Sequence, residues 1–101
     1  MYKIARASVW RQQFPRFVGE CIHLSPSCLV EDTLRTKFWH ETEPLILTCV
    51  DLKHVEGIVL WRGPYAHIHQ GAIGPQAVVW HRELHRSSWD NEFILPDIFI
   101  H

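Results

Sequence analysis

The segment with the plainest chemical use is Tyr65-Ala66-His67-Ile68-His69. In an extended chain, residues i and i+2 share a face. His67 and His69 then point one way and Ile68 the other. Two neighbouring imidazoles are half of a Zn, Cu or Fe site, and such a site needs a third donor from another element. His81, on the next expected strand, is the first choice. His101, at the end of the last one, is the second, with Glu83 or His85 as further options. If no third donor joins them, no cofactor is expected, and the pair faces solvent or bonds to backbone carbonyls.

Other chemistry is thinly supplied. His81-Arg82-Glu83-Leu84-His85 has Arg where the zincin motif has Glu, directly after the first His. Cys21 and Cys28 have no adjacent basic group to lower a thiol pKa, and Cys49 falls inside an apolar run. The chain contains no nucleophile elbow, phosphate loop or dinucleotide fingerprint. These features favour a protein that is not an enzyme.

Aromatic and arginine side chains point to recognition instead. Trp61-Arg62-Gly63-Pro64-Tyr65 sets two rings and a guanidinium about a turn, and Arg86-Ser87-Ser88-Trp89 repeats the combination. Trp, Tyr and Arg dominate binding hot spots, and loops held by rigid strands are where such sites sit. Trp61, Arg62, Tyr65 and Trp89 are therefore the candidate contacts for a protein partner, or for self-association through a sheet edge.

The elements that must position these residues are mostly strands. Met1–Trp10 and Arg16–Leu24 have apolar faces, and Gly19 suggests a bulge in the second. Leu45–Leu52 is apolar on both faces and reads as a central strand. Ile58–Trp61, Tyr65–His69 and Gln76–Leu84 follow, with Gly57 available for positive φ and a loop at Gly71–Pro75. Glu92–His101 reads as a last strand, split or placed at an edge by Pro96. Residues 28–40 read two ways. Val30, Leu34 and Phe38 recur at helical spacing behind a capping Ser27, whereas Thr33, Thr36, Phe38 and Trp39 favour a strand. The helix is preferred.

The 101 residues, 47% hydrophobic and 21% charged, suit one globular domain spanning 1–101. A net charge of -1 excludes binding driven mainly by nucleic-acid phosphates. Three cysteines without a CxxC do not make a disulfide framework, although a Cys21–Cys28 bridge stays open. The first residues lack the apolar core of a signal peptide, and no apolar run reaches the roughly 18 residues of a membrane span. The expectation is a cytoplasmic protein that does not enter the membrane.

From Leu45 to Trp80 the chain resembles the CHRD domain of chordin and of bacterial secreted proteins. Ala66-His67-Ile68-His69, Gly71, Gly74-Pro75 and Val78-Val79 carry the resemblance. His67-Ile68-His69 is also similar to the His-x-His of copper-zinc superoxide dismutases. Both resemblances imply a β-sandwich with His67 and His69 acting as a pair. The expected fold is a single-domain antiparallel β-sandwich or barrel, with room for one short helix near 28–40. The expected function is a small protein-binding module of inhibitor, immunity or accessory type, including one of phage origin; the alternative is a metal-binding protein or metalloenzyme.

Overall fold

The computed structural model describes residues 1–99 and consists of two antiparallel three-stranded sheets with two short helices. Sheet one has the order β1 (Tyr2–Arg6), β3 (Leu45–Val50), β6 (Val78–Leu84). Sheet two has the order β2 (Phe17–Leu24), β5 (Tyr65–Ile73), β4 (Glu56–Arg62). The helices are α1 (Ala7–Gln13) and α2 (Val30–Lys37). The mostly β fold and the helix within 28–40 are as expected.

β3 explains the layering. Its residues alternate between two separate cores. Ile46 and Val50 join Ala5 of β1 and meet Phe17, Ile22, Leu24, Ala66, Ile68 and Ile73 of sheet two. Leu45 and Leu47 face the other way, onto Val30 and Leu34 of α2 together with Leu84. Sheet one is therefore a middle layer, which is why β3 is apolar on both faces. Sheet two covers one side of it and keeps its own outer face bare.

α2 suits its place electrostatically. Glu31 and Asp32 occupy the first turn, Arg35 and Lys37 the last, in the sense that opposes the helix dipole. Glu31 also pairs with Arg35 one turn on, at 2.8 Å.

Four expectations need correction. Ser27 does not cap α2: it opens a 3-10 turn, Ser27–Leu29, and the helix begins after Leu29 with no side-chain cap bond. The first strand stops at Arg6, and Ala7–Gln13 is helical. Ala7 and Trp10, three apart, are both buried, and Phe14 stacks on Trp10 at 4.8 Å. That helical spacing overrides the run of strand-formers. Gly71–Pro75 is not wholly loop, because β5 continues to Ile73. Glu92–Phe99 forms no strand: an isolated bridge between Arg86 and Phe93 and a 3-10 turn at Asp97–Phe99 hold it. Its Phe93, Leu95 and Phe99 pack singly against the α2 core, and Pro96 interrupts any ladder.

Gly57 and Gly71 let β4 and β5 touch. Gly57 has φ 105°, and a Cβ there would lie 2.7 Å from the Gly71 Cα. A Cβ on Gly71 would run into the Glu56 carbonyl oxygen. The β4–β5 register shifts between Glu56 and Ile58, so this contact sits at a bulge.

Candidate functional site

The outer face of sheet two gathers the side chains with chemical potential. Cross-strand partners share a face, and the register pairs Cys21 with His69 and His23 with His67. On the other side of β5, Ile58 lies opposite His69, Leu60 opposite His67, and Arg62 opposite Tyr65. His67 and His69 do emerge together from an extended β5, while Ala66 and Ile68 between and beside them are buried.

The neighbours were not foreseen. His23 Nδ1 and His67 Nε2 lie 2.9 Å apart, so one ring N–H donates to the other ring. The His23 ring also packs against Tyr65, with centroids 5.0 Å apart. The Cys21 Sγ lies 3.9 Å from His69 Nε2, a long thiol–imidazole contact. By type, Phe17, Val18, Cys21, Ile22 and Leu24 read alike as the apolar residues of β2, which hides Cys21; the signal that sets Cys21 and His23 on the other face is their position one residue out of phase with Ile22 and Leu24.

Both histidines of the contact resist protonation. For His23, burial is the larger cause, followed by the nearby Lys37 ammonium and His67. For His67, burial again leads, followed by Arg62, His69 and Lys37. One side-chain nitrogen among the described residues, His23 Nε2, is buried without a hydrogen-bond partner. A groove of about 280 Å³ runs beside these groups, lined by Cys21, Leu60, Trp61, Arg62, His67 and His69.

The remaining expected donors lie elsewhere. His81 is on β6 of sheet one, beside Thr48, with its ring 4.6 Å from that of Trp10. It does not join His67 and His69. Glu83 pairs with Arg11 at 3.0 Å, and His85 lies 3.6 Å from Glu83. His101 lies outside the described residues. Among the described residues no three His, Cys, Asp or Glu side chains are arranged to hold a metal ion. Cys21, Cys28 and Cys49 are all free thiols, so the Cys21–Cys28 bridge does not form.

The recognition residues divide. Trp61, Arg62 and Tyr65 stay together at the β4–β5 turn, where Gly63 takes φ 60°. Ile58 and Leu60 extend this group along β4; with Trp61 they are 63%, 50% and 59% exposed. Trp89 is 94% exposed but belongs to a different surface. Its loop is tied to the end of α2 by Arg86, whose guanidinium donates to the carbonyls of Phe38, Trp39, Glu41 and Asn91 and lies 4.2 Å from the centre of the Phe93 ring.

No helix among the described residues is long and apolar enough to cross a membrane. No protein-family model matches the chain, and no curated protein matches it. Among solved structures it is similar to protein CC0527 from Caulobacter crescentus, known from an X-ray crystal structure, with a TM-score of 0.71 and 20% sequence identity over 97% of this chain and 96% of that one. The two chains share a fold.

Proposed function

We propose that the protein is a small binding module that acts through a protein partner, in an inhibitory, immunity or accessory role. The single observation behind this reading is the β4 edge, where Ile58 and Leu60 on the histidine face and Trp61 on the other are all at least half exposed, with Arg62 and Tyr65 beside them at the hairpin turn. Exposed apolar side chains grouped on one strand mark an interaction surface, and a tryptophan beside an arginine has the makings of a hot spot. Capture on the immobilised chain, compared with a Trp61→Ala/Arg62→Ala variant, tests it. A protein kept by the wild type should bind the variant about tenfold or more weakly when purified and remeasured. Equal binding by both chains would overturn the reading.

One observation favours a second reading, metal binding. Cys21, His23, His67 and His69 occupy one face of adjacent strands, with the His23 and His67 ring nitrogens 2.9 Å apart. Two imidazole nitrogens on one Zn, Cu or Fe ion need only slightly more separation. Titration with Zn²⁺ followed by calorimetry tests this reading. Binding that disappears in His23→Ala and His67→Ala would support it, and the absence of heat at stoichiometric metal would end it.

A further inference from the structure

The free edge of β4 is complementary to itself. The strand runs Glu56-Gly57-Ile58-Val59-Leu60-Trp61-Arg62 and, among the described residues, bonds to β5 on one side only. The two-residue turn Gly63–Pro64 closes on the Arg62–Tyr65 pair. In such a hairpin the closing pair exchanges both of its backbone hydrogen bonds. Alternation from there turns the backbone groups of Arg62, Leu60 and Ile58 toward β5. Those of Trp61 and Val59 point outward, and Gly57, with φ 105°, follows them at the β4–β5 bulge.

We propose that this outward row pairs with the same row of a second copy of the chain, antiparallel, about a two-fold axis through Val59. The inference rests on the protein-binding reading and names its partner. In a two-fold pair centred on Val59, Glu56 lies opposite Arg62 of the other copy, Gly57 opposite Trp61, Ile58 opposite Leu60, and Val59 opposite itself.

Every one of those pairs is favourable. Opposite charges meet at both ends of the ladder, and two exposed aliphatic side chains meet on either side of its centre. Trp61 faces a glycine, whose missing Cβ leaves the indole free to lie over the backbone, a pairing that shields an edge glycine. Glu56 already accepts from Arg16 at 3.1 and 3.2 Å, so Arg62 of the second copy completes a triad on that carboxylate.

Other registers do worse. Centring on Ile58 or Leu60 presents the backbone row already spent on β5. Centring on Gly57 or Trp61 keeps the right row but sets Glu56 against Ile58, or Arg62 against Leu60, and pairs no opposite charges. β6, one of the two edge strands of sheet one, carries His81, Arg82 and Glu83 in succession, the kind of charged edge that resists pairing. β4 has no charge between its two ends.

The result is one six-stranded sheet, β2-β5-β4 continued by β4-β5-β2 of the second copy, with both histidine faces on the same side. Sedimentation or light scattering of the full chain across a concentration series tests it, together with two charge variants. Arg62→Glu leaves Glu56 facing a glutamate, and Glu56→Arg leaves Arg62 facing an arginine. Each alone should weaken the dimer about tenfold or more, since like charges then oppose each other twice. An equimolar mixture should restore it, because every glutamate of one chain then meets an arginine of the other. Circular dichroism checks that each variant is folded. Val59→Pro, which removes the outward N–H at the axis, should abolish the dimer.

A wild type that stays monomeric at all concentrations overturns the proposal. So does a dimer indifferent to the charge variants, or a mixture that is no tighter than its components. A monomer that still captures a different protein through Trp61 and Arg62 would remove the second copy as partner and leave the binding reading standing. A monomer that captures nothing would remove both.

Discussion

The His23 Nδ1 atom lies 2.9 Å from His67 Nε2, with the Lys37 ammonium and the Arg62 guanidinium near enough to disfavour added positive charge. A hydrogen bond between two imidazoles requires one ring to accept, so it lasts only while at least one stays neutral. Both folded-state pKa values lie below the ordinary 6.5.

The unfolded chain therefore binds more protons just below pH 6.5, and stability falls as pH drops through that point toward the folded values. Thermal melts between pH 7.5 and 5 should show a decline on the order of a few degrees from these two rings. His67→Gln should flatten that part of the profile. An identical slope in the variant would assign the decline to other groups.

Lys3 should act at the opposite end of the pH scale. Its stem lies between the sheets with its ammonium 4.9 Å from the centre of the Phe17 ring, and burial pushes its pKa down to about 8. The unfolded chain holds this proton up to about pH 10.4, so the lysine's contribution to stability increases from pH 8 to 10. Tyr2, whose pKa is raised chiefly by burial and then by Cys49, works against it only at higher pH. Lys3→Met should stabilise the protein by about 1–2 kcal/mol at pH 7. Denaturation at pH 7 and pH 9.5 should show that gain shrinking.

Gly71→Ala should cost at least about 2 kcal/mol, near the upper part of the range for point substitutions. The new methyl group meets the Glu56 carbonyl oxygen, and the Ile68 side chain lies 2.7 Å away. Gly63→Ala is the control, because a Cβ there meets nothing among the described residues within 4 Å and only the positive φ opposes it. Urea midpoints should separate the two, with Gly71→Ala the lower.

Arg86→Lys should destabilise by about 2–3 kcal/mol, since a single ammonium cannot reproduce a planar fork shared among four carbonyls. Hydrogen exchange should localise the loss to residues 38–41 and 87–93. Uniform loss across both sheets would show that the clamp stabilises more than this corner.

The strands that were legible in the sequence are those in which one signal ruled. Leu45–Val50 is apolar at nearly every position because it serves two cores, and Tyr65–His69 alternates because one face is bare. α1 was hidden because Val9 and Trp10 favour strands, while its helical evidence was the Ala7–Trp10–Phe14 spacing, which becomes decisive only once Trp10 is packed and bonded to Thr48 Oγ1 at 3.0 Å. The histidine pair was readable from its i, i+2 spacing. Its partners Cys21 and His23 come from β2, more than forty residues away, through a register that no local pattern encodes. Its place on the next strand in sequence favours His81, but the topology sends that strand to the other sheet.

Because Ile46 and Leu47 are adjacent on one strand yet anchor opposite interiors, neither half of the molecule has a foundation of its own. Withdraw β3 and the helix loses its floor in the same event that robs the histidine sheet of its backing. The protein should melt as a single unit, and a fragment containing only one of the two interiors should fail to fold.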